Sequence, residues 1–368
     1  MLDHFLGKRI KARREELGFN LDAASRLLGF DDHQTLTAIE NYARRVSADE
    51  LLRFMEVLDA PLEYFMDPFR LVGEGSFSWR QTGVTRHALD DYERRAGHLV
   101  ALYRALATQC GRLPPLLRHS LDLSKFSSLE DAAAAGERFA RDYALGDIPA
   151  LRLVEAMEQD LGILVLMVDP VPGVSGAACR LEDLDAVIIN RNEPRSRRNF
   201  DLAHELFHIL TWDSMPPERV DDTSGRIRGR VERLADNFAA ALLMPTDKIE
   251  RFCAWQAEPE DTLVDRLNIV ADELHVSSNA LRWRLVSAGM LSRNAANSID
   301  DAKLRNNGRK RTRREFPPLF SRPFAKLVAD SIEKGRISKR RAASVLELTL
   351  DDLPAIFGAH GVDFILGI

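Results

Sequence analysis

The chain has little cysteine, little net charge and no long apolar run. Its 368 residues include three cysteines, Cys110, Cys179 and Cys253, and no two of them form a CxxC pair. This sparse count argues against a cysteine zinc site and against a disulfide scaffold. We therefore expect the protein to be located in the cytoplasm, where thiols stay reduced. The formal net charge of −5 excludes a protein that is basic overall, so any contact with nucleic acid must come from a local patch.

Membrane and export signals are also missing. The first residues, MLDHFLGKRIKARREELG, contain no apolar segment of the kind that a signal peptide needs. The longest apolar run, LGILVLMV at residues 161–168, is too short to cross a bilayer and is typical of a buried strand. We therefore expect no membrane partner.

The pattern of apolar residues predicts several structural units, since this length favours two or three domains. Strands are expected only between residues 161 and 190, so the predicted fold class is α+β and mostly helical. The expected units are a five-helix domain at 1–68, a helical connector at 69–148, a mixed domain at 149–292, a basic polar linker at 293–316 and a helical C-terminal module at 317–368.

One short motif carries specific chemistry. Residues 204–208 read His-Glu-Leu-Phe-His, an HExxH sequence inside a predicted helix. Positions i and i+4 share a helix face, so His204 and His208 can bind one Zn²⁺ ion, and Glu205 can act as general base on a water at the open position. The alternative is that both histidines are core residues without a metal.

A zinc site of this type needs a third ligand, and four acidic residues follow the motif: Glu218, Asp221, Asp222 and Glu232. Glu232 is favoured because it begins a strongly apolar helix, where a carboxylate needs a compensating cation. Asp236, one turn later, can accept the free N–H of a ligating histidine. Alternatively, Glu232 is a surface residue at a helix N-terminus, where carboxylates are stabilised.

These motifs together resemble the ImmA/IrrE family of metallopeptidase-like proteins. The segments IIN-RNEPRSRRNFDLAHELFHIL and ERLADNFAAALLMP carry the likeness, which with the N-terminal segment covers about residues 1–290. The resemblance implies a zincin-like, gluzincin-type domain in which His204, His208 and Glu232 bind zinc and Glu205 is catalytic. It also implies a protein substrate, a cognate repressor or antitoxin, and a role in stress responses. The family often has Asn where this chain has Asp236.

The N-terminal segment NLDAASRLLGFDDHQTLTAIENYARRVSADELLRFMEVL resembles an XRE-type helix-turn-helix. It implies a positioning helix at Leu21–Leu28 and a recognition helix at Gln34–Asn41 that reads double-stranded operator DNA. Gln34 can pair with adenine, and Thr35 and Thr37 can reach bases or phosphates. Phosphate contacts are expected from Arg44, Arg45, Lys8, Arg9, Lys11, Arg13 and Arg14. We expect a homodimer.

Alternatives remain at both ends of the chain. The turn after Gly29 is one residue longer than usual, and Tyr42 stands where relatives often have glycine, so the head can instead be a helical domain that binds a protein. The basic cluster at residues 305–314 is either a solvated linker or a further phosphate contact.

Three functions compete. The first is a DNA-binding regulator whose zinc endopeptidase cleaves a repressor or antitoxin. The second is a non-catalytic repressor or antitoxin with a structural or sensory zinc. The third is a broad housekeeping peptidase. The intact Glu205 favours the first. The second gains weight because the sequence singles out no oxyanion stabiliser, for which His275 and Arg198 are candidates. The DNA-binding domain argues against the third.

Overall fold

The computed structural model describes residues 2–113, 118–222, 229–252, 255, 260–305 and 316–364. Its N-terminal unit consists of five helices around a small apolar core that includes Ile10, Leu36 and Phe54. The bounds are α1 Leu2–Glu16, α2 Leu21–Leu28, α3 His33–Glu40, α4 Ala48–Val57 and α5 Leu62–Met66. Five helices were predicted here, whereas the helix-turn-helix assignment stays a prediction.

Local sequence determines where the helices of this head begin and end. The Asn20 side chain accepts from the Ala23 amide and caps α2, and Ser47 forms a capping box with Glu50 at the start of α4. Gly29 ends α2 with a φ of 74°, a left-handed conformation that glycine adopts without strain. Both helices thus begin, and α2 also ends, where the local sequence supplies capping groups.

Two arginines predicted to contact phosphate are buried instead. Arg9 is 1% exposed and Arg14 is 7% exposed. Arg14 pairs with Glu40 at 2.6 Å, and Arg9 pairs with Glu74 at 2.9 Å while donating to main-chain carbonyls. The prediction of phosphate contacts is wrong for both, because tertiary contacts that the sequence pattern does not reveal engage their guanidinium groups.

The segment predicted to be a helical connector contains a strand. β1 spans Gly75–Gln81 and joins the central sheet, while α6 Arg86–Gln109 and α7 Leu129–Asp142 are helical as expected. Gly136 of α7 lies where an added Cβ would be 2.4 Å from the Phe238 carbonyl oxygen, so a side chain is excluded at this close approach of two helices. Residues 69–148 are thus packed into the mixed domain rather than set apart from it.

Residues 149–190 contain the three predicted strands. A helical segment comes first, with a 3-10 turn at Pro149–Leu151, α8 at Leu153–Glu155 and a π turn at Ala156–Asp160. The strands are β2 Leu164–Val168, β3 Val174–Leu181 and β4 Asp185–Asn190. All three lie in the range 161–190, where strands were expected.

The next segment holds the two helices of the HExxH region and a group of short helices. It comprises α9 Arg195–Thr211, β5 Val220–Asp222, α10 Arg230–Leu243, α11 Thr246–Glu250, α12 Glu260–Leu274, α13 Ser278–Ser287, α14 Arg293–Ser298 and α15 Asp301–Arg305. Ala296, Ile299 and Leu304 are buried in the core, so residues 293–305 are not the predicted flexible linker. Most of the predicted basic cluster lies outside the described residues.

The C-terminal module forms three helices, α16 Arg322–Glu333, α17 Lys339–Leu346 and α18 Asp352–Ala359. Ser338 caps α17, and Thr349 donates to the Asp352 carboxylate in the first turn of α18. The Tyr103 and Phe324 rings stack with centroids 6.2 Å apart, which joins the module to α6. Within the described part of the chain, every helix is too short or too polar to traverse a lipid bilayer.

A five-stranded mixed sheet organises the domain, in the order β2-β4-β3-β1-β5. β2 and β4 are parallel, as are β1 and β5, while β3 runs antiparallel to both β4 and β1. Alternate residues face opposite sides. Val165 and Val187 pack toward α7, α9 and α10, whereas Leu166 and Ile188 pack toward α6 and the C-terminal module. Two cores thus enclose the sheet, and the HExxH helix lies in the first.

Candidate metal centre

Helix α9 places three chemically active side chains in the interior. His204, Glu205 and His208 are 1%, 1% and 2% exposed. The helix packs against β3, where a Cβ added to Gly176 would be 3.6 Å from Glu205 Cγ and 3.1 Å from the Ile188 carbonyl oxygen. The tight approach of such a Cβ is to β4, whereas Glu205 Cγ lies at an ordinary van der Waals distance, so the Glu205 side chain packs directly against this point of the sheet.

Helix α10 supplies two carboxylates to the same place. Glu232 lies in its first turn, and Glu232 Oε2 is 3.0 Å from His204 Nε2 while Oε1 is 3.5 Å from His208 Nε2. The two Nε2 atoms are 3.2 Å apart. Asp236, one turn later, has Oδ1 3.1 Å from His204 Nδ1. We call His204, His208 and Glu232 the metal cluster, since one ligand atom of each lies within 4.8 Å of the others.

The spacing of the cluster fits zinc. Protein ligands lie about 2 Å from a zinc ion, so the corners of a tetrahedron around it are about 3.3 Å apart. The observed separations of 3.0, 3.2 and 3.5 Å scatter around that value. Two imidazole nitrogens and one carboxylate are also a donor set that zinc prefers, with one position left for water.

The electrostatics of the cluster call for a cation. Burial and Arg80 both lower the pKa of His204, but hydrogen bonds with Asp236 and Glu232 outweigh them and raise it to about 9. Burial lowers the pKa of His208. Burial alone would raise the pKa of Glu232, yet hydrogen bonds with the two histidines hold it well below its usual range. Without a metal, positive charge on His204 balances these carboxylates.

Glu205 differs from the two carboxylates of α10, because one of its oxygens is an unused hydrogen-bond acceptor. Its Oε1 is buried without a hydrogen-bond partner among the described residues. Burial raises the pKa of Glu205 to about 8, partly offset by His204 and Arg80. A buried carboxylate oxygen with no partner is costly, and such groups are common at catalytic sites.

The region around the cluster is similar to a known protein family. Residues 159–286 match the family model of the IrrE N-terminal-like domain, Peptidase_M78. No curated protein matches the chain. The IrrE N-terminal-like segment is similar to zinc-metallopeptidase-like domains, and it contains all three cluster residues, Glu205 and Asp236. The five N-terminal helices and β1 lie outside it.

Three further charged residues adjoin the cluster, and the sequence pattern points to only one of them, Asp221. Arg80 of β1 donates to Asp201 Oδ1 at 3.0 Å and lies 3.7 Å from Asp236 Oδ1. Asp201 is fully buried three residues before His204, a helical spacing that could have revealed it. Asp221, considered only as a ligand, lies beside Glu232; burial and that carboxylate raise its pKa to about 6.

The two candidates for oxyanion stabilisation have other contacts. Arg198 donates to the main-chain carbonyls of Arg191 and Glu193, at the start of α9. The main-chain carbonyl of His275 accepts from the Asn199 side chain, and burial lowers the pKa of His275. These contacts favour neither residue for the role.

Five of the residues predicted to contact DNA lie on and after α3, and the others lie on α1. Gln34 is exposed and Thr35 is partly exposed, with both amides capped by Asp32. Thr37 donates to the His33 carbonyl. Arg44 is exposed and pairs with Glu50 at 2.7 Å, and Arg45 is exposed as well. Their contact with DNA stays a prediction.

Proposed function

We propose that this protein is a DNA-binding transcriptional regulator with a zinc-dependent endopeptidase domain that cleaves a cognate repressor or antitoxin-like protein. One observation carries the catalytic part of the proposal. The unpartnered Oε1 of Glu205 lies beside a three-ligand cluster whose spacing suits zinc. A purely structural zinc is held by four protein ligands and needs no base next to it.

The residues divide the chemistry among them. A bound zinc ion would lower the pKa of its water and polarise the scissile carbonyl. Glu205 takes a proton from the attacking water at its free carboxylate oxygen and delivers that proton to the departing amine nitrogen. Asp236 accepts from His204 Nδ1 and so keeps Nε2 as the ligand atom.

A cavity that reaches Asp236, the hydrogen-bond partner of His204, supports a polypeptide substrate. It has a volume of about 800 Å³, and its lining includes Arg80 and Asp236 but neither Glu205 nor a residue of the metal cluster. Phe200 and Trp283 give it an apolar lining, and Trp283 is 39% exposed. Sites of a few hundred to about 1,000 Å³ with mixed linings are typical of ligand-binding clefts. Its size suits a short peptide segment.

The head domain supports the regulatory part of the proposal. Helices α2 and α3 follow one another across a four-residue turn, and Gln34 lies exposed in the first turn of α3. In helix-turn-helix proteins the start of the second helix meets base edges. We expect Gln34→Ala and Arg44→Ala to weaken operator binding, each by about 1 kcal/mol or more, without changing zinc content. Unchanged affinity of both variants for the promoter DNA of the protein's own gene would contradict the recognition-helix assignment.

The decisive experiment compares wild type with Glu205→Gln and His204→Ala. Metal content by mass spectrometry should give about one zinc per chain for wild type and Glu205→Gln, and far less for His204→Ala. New protein N-termini, profiled in cells that produce each variant, should arise only with the wild type. Cleavage that persists in Glu205→Gln would contradict the assigned mechanism.

A second candidate is a non-catalytic regulator in which zinc is structural or sensory. The near-complete burial of His204, Glu205 and His208 favours it, because a substrate needs access. Under this alternative, wild type binds zinc but yields no new N-termini, and chelation of zinc changes operator affinity instead.

A further inference from the structure

Arg80 is a buried cation that joins two carboxylates. Its side chain is 4% exposed and extends from β1 toward the metal cluster. One terminal nitrogen donates to Asp201 Oδ1 at 3.0 Å, and the other lies 3.7 Å from Asp236 Oδ1. Asp201 is fully buried and also accepts from Arg197 at 3.3 Å, so this end of the guanidinium is firmly held.

The second carboxylate leads directly to a metal ligand. The Asp236 oxygen that faces Arg80 is the one 3.1 Å from His204 Nδ1. A carboxylate at this nitrogen determines the tautomer and the ring orientation of a ligating histidine. The position of His204 Nε2 therefore depends on Asp236, whose own position Arg80 restrains.

The strand pairing places Arg80 next to two other residues that adjoin the metal cluster. Within the sheet, Arg80 pairs with Gly176 of β3 on one side and with Asp221 of β5 on the other. Gly176 lies against Glu205 Cγ, and Asp221 lies beside Glu232. Three adjacent strands thus each bring one residue to the same site, although β1 and Arg80 precede the segment that matches the family.

We propose that Arg80 is a positioning residue for the metal ligand His204 and acts through Asp236. The inference rests on the proposed zinc site. It assigns to β1, a strand outside the family match, a part in building that site.

Arg80 can influence zinc in two opposite ways. As a cation it repels Zn²⁺, and it lowers the pKa of both His204 and His208. As a guanidinium group that contacts two carboxylates at once, it fixes the position of Asp236 and so strengthens zinc binding. Asp201 at 3.0 Å offsets most of the charge, so we expect the ordering effect to dominate.

Zinc affinity separates the two effects. We would measure the zinc Kd of the full chain by competition with a chromophoric chelator, for wild type, Arg80→Lys and Arg80→Met. Lysine keeps the charge but cannot span two carboxylates. If Arg80 positions Asp236, both variants bind zinc roughly 10- to 100-fold more weakly. If Arg80→Met binds zinc as tightly as wild type, or more tightly, the inference is overturned.

A double-mutant cycle tests whether Arg80 acts through Asp236. In an Asp236→Asn background, Arg80→Met should change the zinc Kd by no more than about threefold, because its target is already altered. Additive losses would overturn the proposed route. Arg197→Met is the matched control, since Arg197 contacts Asp201 but is 45% exposed, and we expect an effect of about twofold or less.

Misfolding and failure of the zinc site itself need separate controls. Arg80→Met leaves Asp201 buried beside a single cation, so Arg80→Met/Asp201→Leu is a second variant that removes the whole ion pair and can retain the fold. It should show the same weakened zinc binding. A wild type that binds no zinc overturns the proposed function and this inference with it, whereas zinc binding that is independent of Arg80 overturns the inference alone.

Discussion

Two clusters of buried charge lie on either side of β1, and they differ in what their atoms leave unused. The junction cluster consists of Arg9, Glu74 and Arg104, which join the head to β1 and α6. Arg9 Nε donates to Glu74 Oε1 at 2.9 Å, and Arg104 contacts the other oxygen of the same carboxylate. The remaining nitrogens of Arg9 donate to main-chain carbonyls. Among the described residues, the buried atom of the junction cluster that lacks a hydrogen-bond partner is Arg104 Nε. This nitrogen is a donor and cannot bind a metal.

Beside the metal cluster, by contrast, the unused carboxylate atom is an acceptor. Glu205 Oε1 is buried without a hydrogen-bond partner among the described residues, and the Nε2 atoms of His204 and His208, 3.2 Å apart, would bind the metal. His208 Nδ1 also lacks a partner there, but it carries the proton when Nε2 is the ligand atom and is then a donor. Burial of charge is common to both clusters and therefore does not identify a functional site. Free acceptor capacity does, because only acceptors can bind a cation or take a proton.

The largest expected effect is at the junction cluster. Glu74→Gln leaves two buried arginines without a counter-charge, so we expect the free energy of unfolding to fall by about 3–5 kcal/mol. Urea denaturation would measure this loss. Glu182→Gln is the control, because Glu182 pairs with Lys8 at the surface and should contribute at most about 1 kcal/mol. Equal losses in the two variants would mean that the junction cluster has no special structural role.

Zinc should stabilise the protein through the metal cluster alone. At a free zinc concentration 100 times the Kd, binding to the folded state adds about 2.7 kcal/mol. Thermal unfolding with and without a chelator would show the shift in wild type, and His208→Ala should abolish it. His119→Ala, which alters an exposed histidine, should keep the shift. A shift that persists in His208→Ala would place the zinc elsewhere.

Glu158 tests whether a free acceptor oxygen by itself marks a functional site. Its Oε1 is buried without a hydrogen-bond partner in the described part of the chain, like that of Glu205, although Ser321 and the Val165 main chain are its neighbours. Burial raises its pKa from 4.5 to about 7. The folded state therefore binds this proton more tightly than the unfolded chain, and the resulting stability is present below about pH 4.5 and lost as pH rises toward 7.

Glu158→Gln should thus stabilise the protein at pH 8 by about 1–2 kcal/mol relative to its effect at pH 4.5, after discounting for partial exposure. Urea denaturation at both pH values would test this, with the exposed Glu155→Gln as control. A variant that destabilises the protein equally at both pH values would indicate a functional or structural need for this carboxylate.

The smallest effect is expected for the stability of Glu205→Gln. In the metal-free protein its raised pKa of about 8 keeps the carboxyl protonated at pH 7, and an amide of the same shape replaces it. We expect a change below about 1 kcal/mol in urea denaturation with a chelator present. The same substitution would then have opposite consequences at the two clusters, loss of stability at Glu74 and loss of activity at Glu205. A loss of several kcal/mol at Glu205 would assign that carboxylate a structural role.

Local patterns predicted much of the fold and the centre of the site. The three strands β2, β3 and β4 and the helices α9 and α10 follow from apolar periodicity. The placement of His204, Glu205 and His208 on one helix follows from their spacing alone. Glu232 and Asp236 could be selected because a carboxylate on an apolar helix needs a counter-charge.

Features that depend on contacts distant in sequence could not be predicted in this way. β1 does alternate, with Phe77 and Trp79 between polar residues, but the pattern is short and follows Gly73 and Gly75. Its partners β3 and β5 are about 100 and 140 residues away, so the local sequence does not show that it joins the sheet. Arg80 enters the site only through that pairing. Likewise, nothing local distinguishes the buried Arg9 and Arg14 from solvated arginines on the same helix.

The pairing of β1 with β3 also determines which fragments of the domain can be produced separately. A fragment limited to residues 159–286 would lack β1 and would leave the eight-residue strand β3 with one bare edge. The open amide and carbonyl groups of such an edge are a template on which a second molecule can add its own strand. The apolar residues that Trp79 and α6 cover would become solvent-exposed at the same time. Solubility of the excised domain thus depends on a strand that the chain forms well before the matched segment begins.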